Sequence, residues 1–369
     1  MKKRMTGLIL VMILALTGCK KEEAPPVQEE KPPVEAVTET AAENETETET
    51  ESHEGEVRSF YTGGWVEEEL AWNRPAAVMT ENTRSAVPQY GLGNADIIYE
   101  CPVEGGITRL MAIYQNYNQL EKIGNVRSCR LYYVYFAKEF DAVYFHAGES
   151  KYALSILNSS FIDNVDGITG KGGAYYYRDN SRRAPHNLYT TGEKISAAMS
   201  AHGFETKLPD NYVPHYRFTT EDVPNKLKNG QKAAVVKLYY VDAKPWFEYN
   251  KKDGLYYRFE FGQKQVDGTD NSQIAVKNII IQNCASSLKD SANGTLDINY
   301  LSGGDGMYIT NGRSVTITWR RDSAEDITHY YDENGDEIVL NPGKTWVAIC
   351  ESKKASGNII YSTKEEFQK

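Results

Sequence analysis

From about residue 230 onward the chain is written in short apolar runs that alternate and then stop at a turn. "WFEYNKKDGLYYRFEF" (246–261) is two such runs about Lys-Asp-Gly, and "MYITNGRSVTITWRR" (307–321) is two more about Asn-Gly. A period of two places every second side chain on one face, and Asp-Gly or Asn-Gly supplies the positive φ that a tight hairpin needs. "AAVVKLYYV" (233–241), "AVKNIIIQN" (275–283), "LDINYL" (296–301) and "HYYDENGDEIVLNPGKTWVAI" (329–349) continue the rhythm. It predicts a β-rich domain over 218–369.

Residues 59–217 mix two periods. "AAVM" (76–79), "DIIYECPV" (96–103), "ITRLMAIYQ" (107–115), "DAVYFHA" (141–147) and "AYYYR" (174–178) are short β-prone runs bounded by Gly, Asn or Asp. "SCRLYYVYFAKEF" (128–140) reads as a helix with Ser128 at its N-cap and Tyr132, Tyr133, Phe136, Ala137 and Phe140 on one face. "TTGEKISAAMSAHGF" (190–204) has the Thr190-x-x-Glu193 spacing of a capping box and closes at Gly203. The expected fold is α+β: a mixed α/β domain over 59–217, then the β-rich one. The polar stretch "TTEDVPNKLKNGQ" (219–231) lies at the boundary.

The amino terminus stands apart from both. Lys2, Lys3 and Arg4 precede the apolar "LILVMILAL", which is too short to span a bilayer comfortably, and Leu16-Thr17-Gly18-Cys19 resembles a bacterial lipobox. That resemblance implies a signal peptide over 1–19, acylation of Cys19, and a bilayer partner outside the cytoplasmic membrane. Residues 20–57 carry thirteen Glu against three Lys and sum to −10, whereas residues 58–369 sum to only −3. Such a segment repels itself and lacks apolar area to bury, so 20–58 reads as a disordered tether reaching roughly 35 Å. No basic stripe favours nucleic acid. Cys101, Cys129, Cys284 and Cys350 show no metal-ligand spacing, and their disulfide pairing is left open.

Within the first half, "VEGGITR" (103–109) sets a charged pair about two glycines. On a strand over 107–115, Ile107, Arg109, Met111 and Ile113 share a face, so Arg109 should be partly buried and in need of a carboxylate or a ligand. Gly105 and Gly106 would let the chain reverse and bring Glu104 or Glu100 to it. Arg127 and Arg130 flank a helix start, where free N–H groups favour an anion. His146 ends a strand, and "YYYRDNSRRAPHNLY" (175–189) adds Arg178, Arg182, Arg183, His186 and Asn187. Together these residues suggest one polar pocket.

The same strings resemble the YerB-like lipoproteins, whose two domains are of unknown function. "TGGWVEEELAWNRPAAVMTEN", "VPQYGLGNADIIYECPVEGGITRLMAIY", "GNVRSCRLYY", "HAGES" and "RRAPHNLY" are similar to the first domain; "GGDGMYITNGRSVTITWRR" and "DENGDEIVLNPGKTWVAI" are similar to the second. The family pattern falls on Arg74, Asn82, Glu100, Glu104, Gly105, Gly106, Arg109, Arg127, Arg130, His146, His186 and Asn187. Val87 and Asn125 depart from the usual Arg and Pro, and Cys129 from a small residue. The resemblance implies an envelope location and a mixed architecture, and it brings no reaction.

Several apparent motifs lack their context. "SSLK" (286–289) has no partner motifs, "NPGKTW" lacks the first glycine of a P-loop, "GES" (148–150) lacks the second glycine of a nucleophile elbow, and "DGTDNS" and "DENGDE" miss the EF-hand spacing. Three readings follow. In the first, Arg109, Arg127, Arg130, Arg183 and Asn187 bind an anionic cell-wall fragment. In the second, Glu104, His146 and His186 run a metal-independent hydrolysis. In the third, the domain is a protein-interaction scaffold. No metal or cofactor is expected.

Overall fold

The computed structural model describes residues 53–369. The leader, Cys19 and most of the acidic stretch lie outside the described residues. The acidic stretch does not run as tether to residue 58: Glu56–Arg58 is a strand paired with Trp65–Glu67. Arg58 fixes it there, stacking on the Trp65 ring at 4.0 Å and pairing with Glu221.

Strand dominates, and one large mixed sheet organises the molecule. Its main strands are β1 (Ala76–Asn82), β2 (Ile97–Pro102), β3 (Thr108–Tyr114), β4 (Val143–His146), β5 (Asn164–Asp166), β6 (Asn278–Asp290), β7 (Gly304–Thr310), β8 (Arg313–Arg320) and β9 (Thr345–Glu351). Their spatial order is β8-β7-β6-β9-β2-β3-β1-β4-β5. β9 runs parallel to both β6 and β2, and so joins the carboxy-terminal strands to the amino-terminal ones. The chain on either side of residue 217 therefore shares one sheet, and 52–369 is one compact unit. A β7–β8 hairpin turns at Asn311 and Gly312, both at positive φ, which Asn tolerates and Gly, lacking a Cβ, adopts freely.

Helices α1 (Leu131–Lys138) and α2 (Gly192–His202) cover opposite faces. Tyr132, Tyr133 and Phe136 of α1 share a core with Met79, Tyr99, Met111 and, from the far half, Tyr308 and Val347. Ile195 and Met199 of α2 pack with Val78, Leu110, Trp346, and with Phe247 and Tyr256 of a second sheet. Each of these large rings contributes ~2 to 3 kcal/mol by leaving water. Both caps slip from their expected places. α1 starts after Arg130, because Ser128 and Cys129 run extended beside Glu149. α2 is capped by Thr191, whose hydroxyl accepts from the Lys194 N–H at 3.1 Å. The expected strand 174–178 is strand only at Tyr177–Arg178; it opens in a tight turn over Gly172–Tyr175, where Gly172 lies against the Asp166 carbonyl too closely for a Cβ.

Candidate functional site

β1 and β3 lie side by side, with Glu81 opposite Arg109. Every residue of β3 is buried, and Arg109, Met111 and Ile113 share the α1 face. The β2–β3 reversal uses Gly105 and Gly106 at φ +73° and +75°. Glu104 then stands 3.4 Å from Arg109 Nη2 and takes Arg130 in a two-pronged pair, with Nε 2.8 Å from Oε2 and Nη2 on Oε1. Arg109 Nη1 donates to the Ser128 carbonyl at 2.5 Å. Burial, then the neighbouring Arg130, pushes the Arg109 guanidinium down to about 10. Burial opposes ionisation of Glu104, yet the Arg130 hydrogen bond and both cations hold its carboxyl below the ordinary range. A carboxylate so held is a poor proton acceptor.

Arg127 links this group to a second one. Its charge adds to the depression of Arg109, and its Nε lies 3.5 Å from Glu81 Oε2 without a hydrogen-bond partner. Glu81, nearly sealed from solvent, accepts from His186 Nδ1 at 2.9 Å on each oxygen. The other ring nitrogen of His186 faces Ser85 Oγ at 3.3 Å. Thr83 Oγ1 donates to Glu81 Oε1 at 3.2 Å.

The remaining candidates are placed differently. His146 is 1 % exposed, with Nδ1 on the Gly148 carbonyl at 3.0 Å and Nε2 on Asn164 Oδ1 at 3.2 Å. It is enclosed by internal partners and does not reach the arginines with its ring. Asn187 is also internal, accepting from Arg178 at 2.7 Å and donating to the Arg182 carbonyl. Arg183 is exposed on the loop that carries His186. His146, Glu149 and Asp166 approach closely enough to suggest a cation. Asp166, however, already accepts from the N–H groups of Gly148, Ile168 and Thr169 and from the Thr169 hydroxyl. That arrangement is a loop latch. Cys129 is buried, and burial pushes its thiol up to about 12, so it holds almost no thiolate at neutral pH.

An open hollow of about 310 Å³ adjoins the arginine group, lined by Glu104, Ser128, Arg130, Glu149, Ser150, Lys151 and Tyr152, with Asp290, Asn293 and Thr295 from a hairpin of the second half. Larger hollows, of about 540 and 580 Å³, lie elsewhere, along β8 and beside Lys277 and Lys344. They hold no comparable cluster of guanidinium groups, and volume alone does not make a site. The sequence reading overlooked Glu81, Ser85 and the hairpin residues. Extending the alternation Ala77, Met79 by one more step would have placed Glu81 on the Arg109 face.

Two family models match the chain: the amino-terminal domain of a protein of unknown function (DUF3048) over residues 61–205, and the carboxy-terminal domain of the same family over 235–347. A Bacillus subtilis (strain 168) relative named "Putative lipoprotein YerB" is 31% identical over 292 residues, spanning 78% of this chain and 84% of the relative. A crystal structure of YerB protein from Bacillus subtilis superposes with a TM-score of 0.72 at 29% identity, covering 83% of this chain and 99% of that one.

Proposed function

The chain belongs to the DUF3048 family, and from that premise we propose that it is a lipid-anchored envelope protein whose body binds an anionic, hydroxyl-rich envelope fragment at the hollow beside Arg130. The lipoprotein relative and the lipobox at Cys19 support the anchor and the extracytoplasmic side of the cell membrane. One observation carries the binding reading. Three guanidinium groups, Arg109, Arg127 and Arg130, meet with only Glu81 and Glu104 between them, and the buried Arg127 Nε has no hydrogen-bond partner. A carboxylate or phosphate beside Arg130 would supply negative charge next to Arg109, which burial and then Arg130 lower. Ser150, Tyr152, Asn293, Thr295 and the carboxylates of Glu149 and Asp290 suit the hydroxyl groups of the same ligand.

Calorimetric titration of the chain with muropeptides and teichoic-acid fragments tests this. Binding of at least one fragment is expected, weakened 10-fold or more in Arg127→Ala and in Arg130→Ala, since a charge-assisted bond contributes ~1.5 to 3 kcal/mol. No binding, or equal binding by both variants, would remove the reading. The scaffold reading draws on the hairpin wall of the hollow. It expects partner capture to depend on Asn293 and Thr295, and not on Arg127.

A further inference from the structure

Beside the arginines, a hydroxyl, an imidazole and a carboxylate stand in hydrogen-bonded order, and anion recognition makes no use of that order. Ser85 Oγ is 3.3 Å from His186 Nε2, and His186 Nδ1 is 2.9 Å from both oxygens of Glu81. We propose that Ser85, His186 and Glu81 form a nucleophile–base–carboxylate relay that hydrolyses a carboxylic ester carried on a polar or anionic molecule. The proposal stands independently of the anion reading.

Three features support it. Glu81 is almost fully buried and can only accept, so it holds the His186 proton on Nδ1 and leaves the Nε2 lone pair toward Ser85. Ser85 is exposed and His186 is about a quarter exposed (27%), so a substrate can reach both. Finally, the two loops are tied to one another. Arg182 donates to the Ala86 and Pro88 carbonyls at 2.6 and 2.8 Å, and Asn125 Nδ2 donates to the carbonyls of Ala86 and His186 at 3.2 and 3.0 Å. Serine and histidine are therefore presented on a braced frame, which a chance surface contact does not need. The 3.3 Å separation is within the looser range of an unliganded relay.

In the first step the Ser85 oxygen bonds to the acyl carbon while its proton passes to His186 Nε2. The tetrahedral centre collapses, the C–O bond to the alcohol breaks, and Nε2 returns the proton to the leaving alkoxide. Water then attacks the acyl-serine, giving its proton to Nε2, and the acid leaves as Ser85 recovers it. Esters are favoured over amides because an alkoxide is the better leaving group. Arg84 and Arg183, exposed on the loops that carry Ser85 and His186, favour an anionic carrier. Ser85 and His186 are the catalytic residues; Glu81 is a positioning residue.

The test uses the full-length chain in detergent, a fluorophosphonate probe and 4-nitrophenyl acetate. The probe forms an Oγ–P bond and expels fluoride. A single adduct mapped to Ser85 by peptide mass spectrometry is expected, absent in Ser85→Ala and formed at least 100-fold more slowly in His186→Gln. Ester turnover should fall in parallel. Glu81→Gln should slow labelling at least 10-fold and lower kcat for the ester to match while leaving KM close to the wild-type value; Glu81→Asp should restore part of both rates. A merely structural Glu81, acting through the placement of its loop neighbours, would move KM together with kcat. No adduct on Ser85, or turnover by Ser85→Ala at the wild-type rate, would overturn the proposal.

Discussion

Glu81 and Arg109 are direct cross-strand partners on β1 and β3, yet they do not pair with one another. Glu81 gives both oxygens to His186, while Arg109 turns to the Ser128 carbonyl and to Glu104. Opposite charges at such a position would ordinarily meet. Here the two are drawn apart by better-placed partners on neighbouring loops, and Arg127 occupies the space between the two groups. The consequence is a row of charges whose compensation is shared rather than paired, and each member can be tested through the partner it would leave behind.

Glu104 is the member with the most dependents. Glu104→Gln keeps the shape and removes the charge that answers Arg109 and Arg130. Arg109 is almost fully buried, so the variant should lose ~1 to 3 kcal/mol of stability in urea unfolding. The same change frees two guanidinium groups, so inorganic phosphate should bind more tightly to the variant than to the wild-type chain. Opposite signs in stability and in anion affinity distinguish a compensating carboxylate from a general base, whose removal would abolish turnover and leave affinity unchanged.

His146 tests the reverse case. Both ring nitrogens lie within hydrogen-bond distance of internal groups, and the ring lies against Tyr144. His146→Ala should cost ~2 to 4 kcal/mol, through a cavity and the loss of the ring's internal hydrogen bonding. At a temperature where the variant remains folded, titration with the same fragments should give the wild-type affinity.

Strand positions in this chain were legible because alternation and turn residues are local. The β7–β8 hairpin about Asn311-Gly312 and the burial of Arg109 on the α1 face both follow from period two. The Glu104–Arg109 approach follows from two glycines that can take positive φ. Partnership across loops was not legible. His186 lies 105 residues from Glu81 and 101 from Ser85, and only the threading of 182–187 against 83–88 brings them together. The sharing of one sheet by both halves was hidden for the same reason, since it depends on β9 entering between β6 and β2, and parallel neighbours leave no turn in the sequence. His146 shows the converse: the sequence places it at a strand end, and only the fold shows the internal groups that enclose it.

The thiols give a direct reading of burial. Cys101, Cys129, Cys284 and Cys350 are free and buried, and burial pushes Cys350 and Cys129 to about 12. A chain beginning at Lys20 should therefore show almost no reaction with Ellman's reagent at pH 8, and release four equivalents once unfolded in guanidinium. Fast reaction of one thiol in the folded chain would place that cysteine at the surface and contradict the packing of its strand.

A sealed group of charges lies on the other side of the sheet, and it sets a pH dependence whose sign can be worked out. Arg258 sits between Glu100 at 2.9 Å and Glu260 at 3.5 Å, its guanidinium 4.1 Å over the Trp346 ring. All three charged side chains are essentially sealed, and Glu260 Oε1 and Arg258 Nη1 have no hydrogen-bond partner. One cation cannot fully compensate two carboxylates there. Burial first, and then the charge of Glu100, push the Glu260 carboxyl up to about 7 against the pull of Arg258. Between the ordinary glutamate value and pH 7 the folded chain thus holds a proton that the unfolded chain has released. The contribution is stabilising below that range and is lost as pH rises through 7. Glu260→Gln cannot ionise, so it should match the wild type near pH 4.5 and exceed it above pH 8, by an amount on the order of 2 to 3 kcal/mol. Melting curves of both chains from pH 4.5 to 9 measure the difference. A gap that stays constant with pH would mean that Glu260 is ionised throughout and that Arg258 compensates it in full. A gap that opens only on the alkaline side would identify the buried carboxylate as the group that limits the fold there.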